Sequence, residues 1–299
     1  MNETCLIGLG AMGMGMARNI LKAGIALRGF DLSEPARAQL VAEGGTTAET
    51  AAEAATGCDL LVLMVVNAEQ ARAAIFASGV AQALTPGATI MVCSTIAPED
   101  ARALAADIDA AGHIMLDAPV SGGQVGAEAG TLTLMTSGSE TAYSRADAVL
   151  GAIAGKVHRL GDAPGLGATY KVVHQLAAGV HLVAAAEVMA LGARAGCDPE
   201  KLFEIVSTSA GQSWMFEDRV PRILAGETAP TSTVDIFVKD LGLVLQTGRD
   251  CATPLPLSAA AHQMMLAASA MGYGRLDDSC VIRAYEALTG YGTKSPEGE

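Results

Sequence analysis

Polar side chains able to do chemistry are concentrated in one apolar stretch of the chain. Residues 165–195 are built mostly from Ala, Val and Leu, yet they include Lys171, His174 and Gln175. At 100° per residue these three side chains share one face of a helix with Ala178. Burial disfavours the charged form of a lysine and lowers its pKa, so a buried Lys171 could exchange a proton near neutral pH. We therefore expect Lys171 to act as a general acid or base, with His174 and Gln175 beside it.

A glycine-rich loop follows the first apolar run of the chain. Gly8, Gly10 and Gly13 form a G-x-G-x-x-G pattern between a predicted strand, Cys5–Ile7, and a predicted helix, Met12–Ala23. The first glycine would make a tight turn, the second would let backbone approach a pyrophosphate, and the third would let helix and strand pack closely. The predicted cofactor loop comprises Gly8, Leu9, Gly10, Ala11, Met12 and Gly13. The pattern therefore indicates dinucleotide binding.

Asp31 stands at the end of the second predicted strand, eighteen positions after Gly13. This is close to the spacing of the acidic residue that bridges the ribose hydroxyls of NAD. The carboxylate would repel the 2′-phosphate of NADP, by roughly 4 kcal/mol for unit charges about 4 Å apart at an effective dielectric near 20. Arg28 and Arg37 do not stand where a clamp for that phosphate would be expected. The sequence therefore predicts NAD as the cofactor.

The elements around these residues predict an α/β fold with two domains. In the first half, short apolar runs alternate with helical patterns, which is typical of a parallel sheet covered on both faces. The predicted strands are Cys5–Ile7, Ala26–Phe30, Leu60–Val66, Ile90–Cys93, Ile114–Leu116, Thr131–Thr136 and Lys156–Leu160. We expect the last two to close the same sheet. Residues 1–162 are thus predicted to form an N-terminal doubly wound Rossmann-type domain that binds NAD.

After Gly161-Asp162 the pattern is helical throughout. The predicted helices cover 165–195, 198–208, 213–225, 233–250, 256–271 and 277–289. We therefore expect residues 163–290 to form an all-α C-terminal domain for substrate binding and dimerisation, joined to the first by the long interdomain helix. Residues 291–299 are predicted to be a flexible tail.

Composition excludes several classes of partner. The 299 residues include 19 Lys and Arg against 32 Asp and Glu, a net charge of −13. This balance argues against nucleic acid and anionic membrane surfaces. The six cysteines are scattered without a C-x-x-C pair or a His cluster, so we expect reduced thiols and no metal site.

The same features predict a cytoplasmic protein. The N-terminal residues lack the basic region of a signal peptide, and the apolar runs look too short or too interrupted to span a bilayer. The positive mean hydropathy of the chain implies more apolar surface than one small helical domain hides. We therefore expect a homodimer or homotetramer.

Five motifs in order give a resemblance over residues 5–288. They are GLGAMGMGMA at 8–17, STIAPE at 94–99, DAPVSGG at 117–123, GLGATYK at 165–171 and KDLGL at 239–243. In this order they resemble the β-hydroxyacid dehydrogenases, the family that contains 3-hydroxyisobutyrate dehydrogenase and tartronate semialdehyde reductase. The resemblance implies an oxidoreductase that moves a hydride between NAD and a small hydroxy acid substrate.

The resemblance also implies roles for residues outside the glycine loop. Thr95 and the backbone at Val65 and Val66 would lie along the nicotinamide half of NAD. Lys239 matches a lysine that closes over both cofactor and substrate. Lys171 matches the family's catalytic lysine, which would remove the hydroxyl proton as hydride leaves the alcohol.

Three further residues, Ser121, Gly122 and Gly123, would hold the substrate carboxylate. This role also follows from the resemblance, and it is chemically reasonable because consecutive glycines expose backbone N–H groups to an anion. Without the family, an ordinary turn would be the simpler interpretation of the same three residues.

Two positions depart from the family pattern. His174 and Gln175 stand where the family usually has two asparagines, and Val65-Val66 where many members have Leu-Pro. His174 reaches further than Asn and could bond a polyol hydroxyl, and we expect Gln175 to contact the substrate as well. Within the family, residues 171–181, 213–219 and 234–244 look most like L-threonate dehydrogenases, which implies oxidation of L-threonate to 2-dehydro-L-erythronate.

Other assignments compete with that one. Within the family, the chain could be a 3-hydroxyisobutyrate dehydrogenase or a tartronate semialdehyde reductase. A related imine reductase, or a catalytically inactive cofactor-binding relative, would be expected to lack Lys171. The presence of this lysine therefore favours a dehydrogenase.

Overall fold

Two compact units make up the chain, Met1–Val172 and Val173–Glu299. The structure is a computed structural model that describes residues 3–290 and 292. The predicted flexible tail, 291–299, lies outside the described residues except for residue 292.

A six-stranded parallel sheet forms the centre of the first unit. Its strands are β1 (Thr4–Ile7), β2 (Leu27–Phe30), β3 (Thr46–Thr47), β4 (Leu60–Leu63), β5 (Thr89–Val92) and β6 (Ile114–Asp117). Their order is β3-β2-β1-β4-β5-β6, so the direction of winding reverses between β1 and β4. In such sheets the ligand binds beyond the carboxyl ends of the strands at this reversal. The predicted doubly wound Rossmann-type sheet is confirmed.

Successive residues of the central strands pack on opposite faces of this sheet. On β1, Cys5 and Leu6 belong to different hydrophobic clusters, as do Leu61 and Val62 on β4. All four are buried, which explains why these strands are continuously apolar. The helices that cover the two faces are α1 (Ala11–Lys22), α2 (Glu34–Ala42), α3 (Ala51–Ala55), α4 (Ala68–Arg72), α5 (Val80–Ala83), α6 (Pro98–Ala110), α7 (Gly123–Ala129) and α8 (Glu140–Ile153), with a π-helical turn at Ala73–Ala77.

A second, three-stranded sheet lies beside the first, and here the sequence-based prediction is wrong. Residues 131–136 and 156–160 do not close the main sheet. They form β8 (Leu132–Thr136) and β9 (Ala154–Arg159), which pair with β7 (Val120–Ser121) in the order β7-β8-β9. Pairing with β6 stops at one bridge, Asp117 with Ser137. The next residues include Pro119, which has no N–H to extend a ladder, and the chain turns into β7.

Helices α1 and α7 are held together tightly within the first unit. A Cβ at Gly15 of α1 would lie 2.8 Å from the carbonyl carbon of Ala127, so only glycine allows this approach. The Asn19 amide nitrogen lies 2.8 Å and 3.0 Å from the carbonyl oxygens of Ala127 and Glu128 at the end of α7. This side chain therefore satisfies carbonyls that the helix end leaves without a partner.

The second unit is helical, as predicted. The long helix α9 (Leu166–Ala195) begins in the first unit and is followed by α10 (Pro199–Ser207), α11 (Trp214–Ala225), α12 (Val234–Asp250), α13 (Pro256–Ala268) and α14 (Ile282–Thr289). Leu182, Phe216, Leu241 and Met265 are among the residues of its core. The predicted helix at 277–289 begins instead as a 3₁₀ turn, Asp278–Val281.

An ionic network is buried in the second unit. Arg219 donates from Nε to Asp278 Oδ1 across 2.6 Å, and Arg222 pairs with Asp277 at 3.1 Å. Both aspartates are fully buried. Asp277 also accepts hydrogen bonds from the backbone and hydroxyl of Ser279 at 3.1 and 2.6 Å. The network thus fixes the start of the 3₁₀ turn against α11.

One described helix, α9, is long and apolar enough to cross a membrane by length and composition alone. The expectation that the uncharged apolar runs are too short or too interrupted to span a bilayer did not single out this helix, which Lys171, Glu187 and Arg194 interrupt. Of the most apolar window of α9, 44% is buried inside the protein. A core helix of a water-soluble protein passes the same test of length and composition.

Candidate active site

The glycine loop connects β1 to α1 and leaves space for a ligand. Gly8 has a φ of +96°, and a Cβ there would lie 2.2 Å from the Met64 carbonyl oxygen. A Cβ at Gly13 would lie 1.8 Å from the carbonyl oxygen of Gly8. At Gly10, by contrast, a Cβ would meet nothing among the described atoms within 4 Å. A methyl group there would fill the space that a pyrophosphate needs, so the loop fits a dinucleotide.

The N-terminus of α1 points its free N–H groups toward that space. The first helical hydrogen bond runs from Met14 N to Gly10 O, and among the described side chains none caps the helix. The N–H groups of Ala11, Met12 and Gly13 are thus available to phosphate oxygens. The backbone of Leu9 has a different function, because its N–H donates to Asp31.

Asp31 is fixed by backbone hydrogen bonds at the end of β2. Its Oδ2 accepts from Leu9 N at 2.7 Å, and its Oδ1 accepts from Ser33 N at 2.8 Å. The carboxylate is therefore held against the glycine loop, as a ribose-binding acid requires. Arg37 also lies here, which differs from the sequence-based expectation: its Nη1 donates to the Asp31 carbonyl oxygen at 2.6 Å, and its guanidinium stacks over Phe30.

The residues predicted to contact the nicotinamide half follow β4 and β5. β4 ends at Leu63, three residues earlier than predicted, so Val65 and Val66 lie in the loop after it. Val65 N donates to Ser94 Oγ at 3.2 Å and Val66 N to Gln70 Oε1 at 2.9 Å. The N–H groups of Val65 and Val66 are therefore already used, and a cofactor would contact their carbonyl oxygens and apolar side chains. Thr95 lies in the loop after β5, at the same edge of the sheet.

The proposed carboxylate-binding residues form the turn from β7 into α7. Ser121 ends the strand, and Gly122 and Gly123 have φ values of +126° and +60°. A side chain at Gly122 would be strained and would also approach Leu132 at 3.3 Å. The two glycines therefore adopt a backbone turn that other residues would resist. Their role in substrate binding remains a prediction.

Lys171 lies in the second turn of α9 and is only 5% exposed. It belongs to the same unit as the glycine loop, Asp31 and the Ser121 turn. Along α9 the buried residues recur at helical spacing and include Ala168, Lys171, Gln175 and Gly179. The lysine is therefore on the buried stripe, where its amine is largely removed from water. This burial is the condition that the predicted acid–base role requires.

His174, Gln175 and Lys239 are connected through a residue that the sequence analysis missed, Asp240. His174 Nδ1 lies 3.0 Å from Gln175 Oε1, and Gln175 Nε2 donates to Asp240 Oδ2 at 2.5 Å. Lys239 Nζ pairs with Asp240 Oδ1 at 2.7 Å. These contacts join α9 to α12 in the second unit, where Gly179 of α9 also packs against Leu241.

Asp117 is a second residue that sequence analysis did not single out, although it begins the DAPVSGG motif. It is 1% exposed, and its Oδ2 accepts from Gly165 N at 2.8 Å and Ala168 N at 2.9 Å. Burial raises the pKa of this carboxyl group, and the hydrogen bonds from Ala168, Gly165 and Ser137 oppose the rise. Asp117 therefore caps the N-terminus of α9, the helix that carries Lys171.

Other features of the described residues lie apart from these. Among them no three His, Cys, Asp or Glu side chains gather in a way that could hold a metal ion. A groove of about 630 Å³ is lined by Arg72, Phe76, Asp107 and neighbouring alanines. None of the predicted site residues lines it.

Comparison with known proteins identifies the family. The family model for the NAD binding domain of 6-phosphogluconate dehydrogenase matches residues 3–161. The model described as NAD-binding of NADP-dependent 3-hydroxyisobutyrate dehydrogenase matches residues 165–285.

Individual relatives match over nearly their whole length. L-threonate dehydrogenase from Cupriavidus necator is 50% identical, over 95% of this chain and 96% of that protein. The Escherichia coli L-threonate dehydrogenase is 48% identical, over 97% of each. The crystal structure of a 3-hydroxyisobutyrate dehydrogenase from Salmonella typhimurium is 49% identical with a TM-score of 0.91, over 95% of this chain and 99% of that one. This chain therefore belongs to the β-hydroxyacid dehydrogenase family of NAD-binding oxidoreductases.

Proposed function

We propose that this enzyme oxidises L-threonate at C2 to 2-dehydro-L-erythronate, with NAD⁺ as the oxidant. The observation that carries the proposal is 50% identity to an L-threonate dehydrogenase over 95% of the chain. The buried Lys171, in the same unit as the glycine loop and Asp31, supplies a group for the proton transfer. Residues 1–162 would bind NAD, and residues 163–290 would contribute to substrate binding and subunit contacts.

Bound NAD⁺ would supply the hydride acceptor for C2. Lys171, with its amine neutral, takes the proton of the C2 hydroxyl as the C–H bond breaks, and the C2–O bond becomes a carbonyl. In the reverse direction the ammonium returns that proton. Ser121, Gly122 and Gly123 hold the substrate carboxylate, and Asp31 accepts hydrogen bonds from the ribose hydroxyls.

His174 and Gln175 distinguish this chain from the usual family pattern. We propose that His174 bonds a hydroxyl at C3 or C4 of the four-carbon acid, with Gln175 beside it. Thr95, Val65 and Val66 would contact the nicotinamide half of the cofactor, and Lys239 would contact both ligands.

The alternative substrates are 3-hydroxyisobutyrate and tartronate semialdehyde. The first stays in consideration because the similar Salmonella enzyme is named a 3-hydroxyisobutyrate dehydrogenase. The purified enzyme should be assayed with NAD⁺ and L-threonate, D-threonate, L-erythronate, 3-hydroxyisobutyrate and glycerate. We expect L-threonate to give the highest kcat/KM. A methyl-branched acid would leave polar groups of the site without hydrogen-bond partners, and this opposes the binding of that acid. A higher kcat/KM for 3-hydroxyisobutyrate would overturn the substrate assignment. No NAD⁺ reduction with any of the acids would overturn the dehydrogenase assignment.

We further propose a cytoplasmic homodimer or homotetramer. Along α9, Val173 and Leu191 are 61% and 68% exposed, and both lie on an outward apolar face of this helix. Burial of this face against a second copy would remove apolar surface from water. All six cysteines are free, as expected in a reducing compartment. Light scattering after gel filtration tests the assembly, and a monomer at assay concentration would contradict it.

A further inference from the structure

We propose that Asp117 is a positioning residue for Lys171, which fixes the first turn of α9 relative to the Ser121–Gly123 turn. The proposal rests on the proposed role of Lys171 as the general base. Asp117 would touch neither cofactor nor substrate. Its function would be to hold two parts of the site in one geometry.

The contacts of Asp117 define where α9 begins. A single carboxylate oxygen accepts from Gly165 N at 2.8 Å and from Ala168 N at 2.9 Å. Ser137 Oγ, 3.3 Å from the same oxygen, accepts from Gly167 N at 3.0 Å. Together these bonds use N–H groups that a helix start leaves unsatisfied.

The buried side of the first turn of α9 packs directly against neighbouring atoms at Gly167. A Cβ at Gly167 would lie 2.4 Å from the Met135 carbonyl oxygen and 3.0 Å from Asp117 Cγ. Lys171 follows Ala168 by three residues, so both lie on the same side of the helix, and both are buried. Rotation or sliding of this turn would therefore move the lysine amine directly.

The backbone of Asp117 is also fixed, to the residue that follows β8, the strand that pairs with β7. Its backbone N–H and C=O exchange hydrogen bonds with Ser137, at 3.0 and 2.9 Å. Ser121 follows four residues later, at the end of β7. The short segment 117–121 thus contacts the first turn of α9, the helix of Lys171, at one end and enters the proposed carboxylate-binding turn at the other. A displacement of about 1 Å in a reacting group can cost as much as a hundredfold in rate, which is the scale of effect expected here.

The test compares Asp117→Ala, Asp117→Asn and Ser137→Ala with the wild type. We expect Asp117→Ala to lower kcat about 10–100-fold, while the Kd for NADH, measured by its fluorescence, stays within about twofold. The solvent isotope effect on kcat should rise, because a misplaced base makes proton transfer slower. Asp117→Asn keeps an oxygen that accepts both backbone N–H bonds and should restore kcat to within about fivefold of wild type.

A matched control is Asp198→Ala, which removes a carboxylate cap from α10, where Asp198 Oδ1 accepts from Lys201 N at 2.7 Å. It should lower stability without changing the isotope effect. The proposal would be overturned if Asp117→Ala kept a normal kcat per NADH-binding site. It would also be overturned if Asp117→Asn were as impaired as Asp117→Ala. If Asp117→Ala does not fold, Ser137→Ala takes its place in the test. A loss of kcat of at least about threefold with a raised isotope effect would support the proposal. Wild-type values of both would overturn the proposal. Failure of the base assignment is recognised separately, by full activity of Lys171→Ala.

Discussion

The carboxamide of Gln175 donates a hydrogen bond to the buried carboxylate of Asp240 across 2.5 Å. A carboxylate only accepts, so this contact directs the carboxamide oxygen toward His174 Nδ1, 3.0 Å away. With a proton on Nδ1 the neutral ring donates to that oxygen and leaves Nε2 as an acceptor. Because Asp240 pairs with Lys239 at 2.7 Å, an ion pair on α12 is linked through Gln175 to a histidine on α9.

An acceptor nitrogen suits a histidine that receives a hydrogen bond from a substrate hydroxyl. His174→Asn shortens the side chain and removes that acceptor. We expect kcat/KM for L-threonate to fall roughly 10–100-fold, about 1.4–2.7 kcal/mol. The loss for 3-hydroxyisobutyrate should be much smaller. His158→Asn, on the exposed strand β9, is the control and should change neither value. Equal losses of kcat/KM on both acids would show that His174 does not bind the C3 or C4 hydroxyl of L-threonate.

The removal of Lys171 tests the acid–base step. We expect Lys171→Ala to lower kcat about 10²–10⁴-fold, the range for loss of a general base, while NADH still binds. Lys171→Arg should not restore the rate, because a guanidinium stays protonated. Stopped-flow and steady-state measurements of NADH formation check both. A variant that loses NADH affinity but keeps kcat would assign the lysine to binding instead.

Asp31 and Arg37 together predict the response to NADP⁺. The wild type should prefer NAD⁺ by at least about tenfold in kcat/KM, since the fixed carboxylate repels a 2′-phosphate. In Asp31→Ser the neighbouring guanidinium of Arg37 remains, so the preference should shift toward NADP⁺ by about tenfold or more. Adding Arg37→Ala should remove that gain.

The matched control for this cofactor test is Arg28→Ala. Arg28 donates to the Thr56 carbonyl oxygen at 2.7 Å and pairs with Glu3. Its removal in the Asp31→Ser background should leave the NADP⁺ gain in place. Equal use of both cofactors by the wild type would contradict the role given to Asp31.

Asp277 predicts how stability depends on pH. Burial opposes its ionisation, but hydrogen bonds from Ser279 and Thr231 and the charge of Arg219 outweigh it, so the pKa of Asp277 lies below the ordinary value of an aspartate. Its contribution is therefore complete above that value and is lost as pH falls through the folded-state pKa. Asp277→Asn should cost roughly 1–3 kcal/mol at pH 7, because it removes the charge that pairs with Arg222 and accepts the hydrogen bonds of Ser279 and Thr231.

Urea unfolding followed by circular dichroism measures this cost. The difference between wild type and Asp277→Asn should begin to shrink below about pH 4, where the unfolded chain takes up the proton, and should vanish only below the folded-state pKa of Asp277. Glu204→Gln is the control, because Glu204 pairs with Lys201 at a side-chain exposure of 64% and should matter by less than about 1 kcal/mol. A difference independent of pH would mean that charge at Asp277 is not the cause.

The parts of the fold that local pattern determines could be predicted from the sequence. Residues such as Leu6 and Val62 are buried on strands covered on both faces, so their runs are continuously apolar. The second sheet could not be separated from the first in this way. Strand β8 is largely buried like the strands of the main sheet, whereas β9 carries Lys156, His158 and Arg159 and is mostly exposed. What divides β8 from β6 is the loss of one donor at Pro119 and the single bridge between Asp117 and Ser137.

The residues of the candidate site differ in the same way, because local spacing predicts some of them and only long-range contacts bring the others together. Gly8, Gly10, Gly13 and Asp31 stand at a spacing set by one strand–helix–strand unit, so their sequence alone indicates their chemistry. The contact between Asp117 and Ala168 spans 51 residues, and that between Gln175 and Asp240 spans 65. No local periodicity connects such pairs. The only signals available were the first residue of DAPVSGG and the second of KDLGL.

The tight approach of α1 and α7 matters for recombining this enzyme with its relatives. Gly15 has no space for a Cβ, and Asn19 holds the last carbonyls of α7. A chimera that takes residues 117–130 from a relative to import its substrate preference would place a foreign α7 on this pair. Such an exchange should give a folded, cofactor-competent protein only where the donor sequence packs against a glycine and an asparagine at these positions, so the substrate turn and the cofactor helix should be transferred as one module.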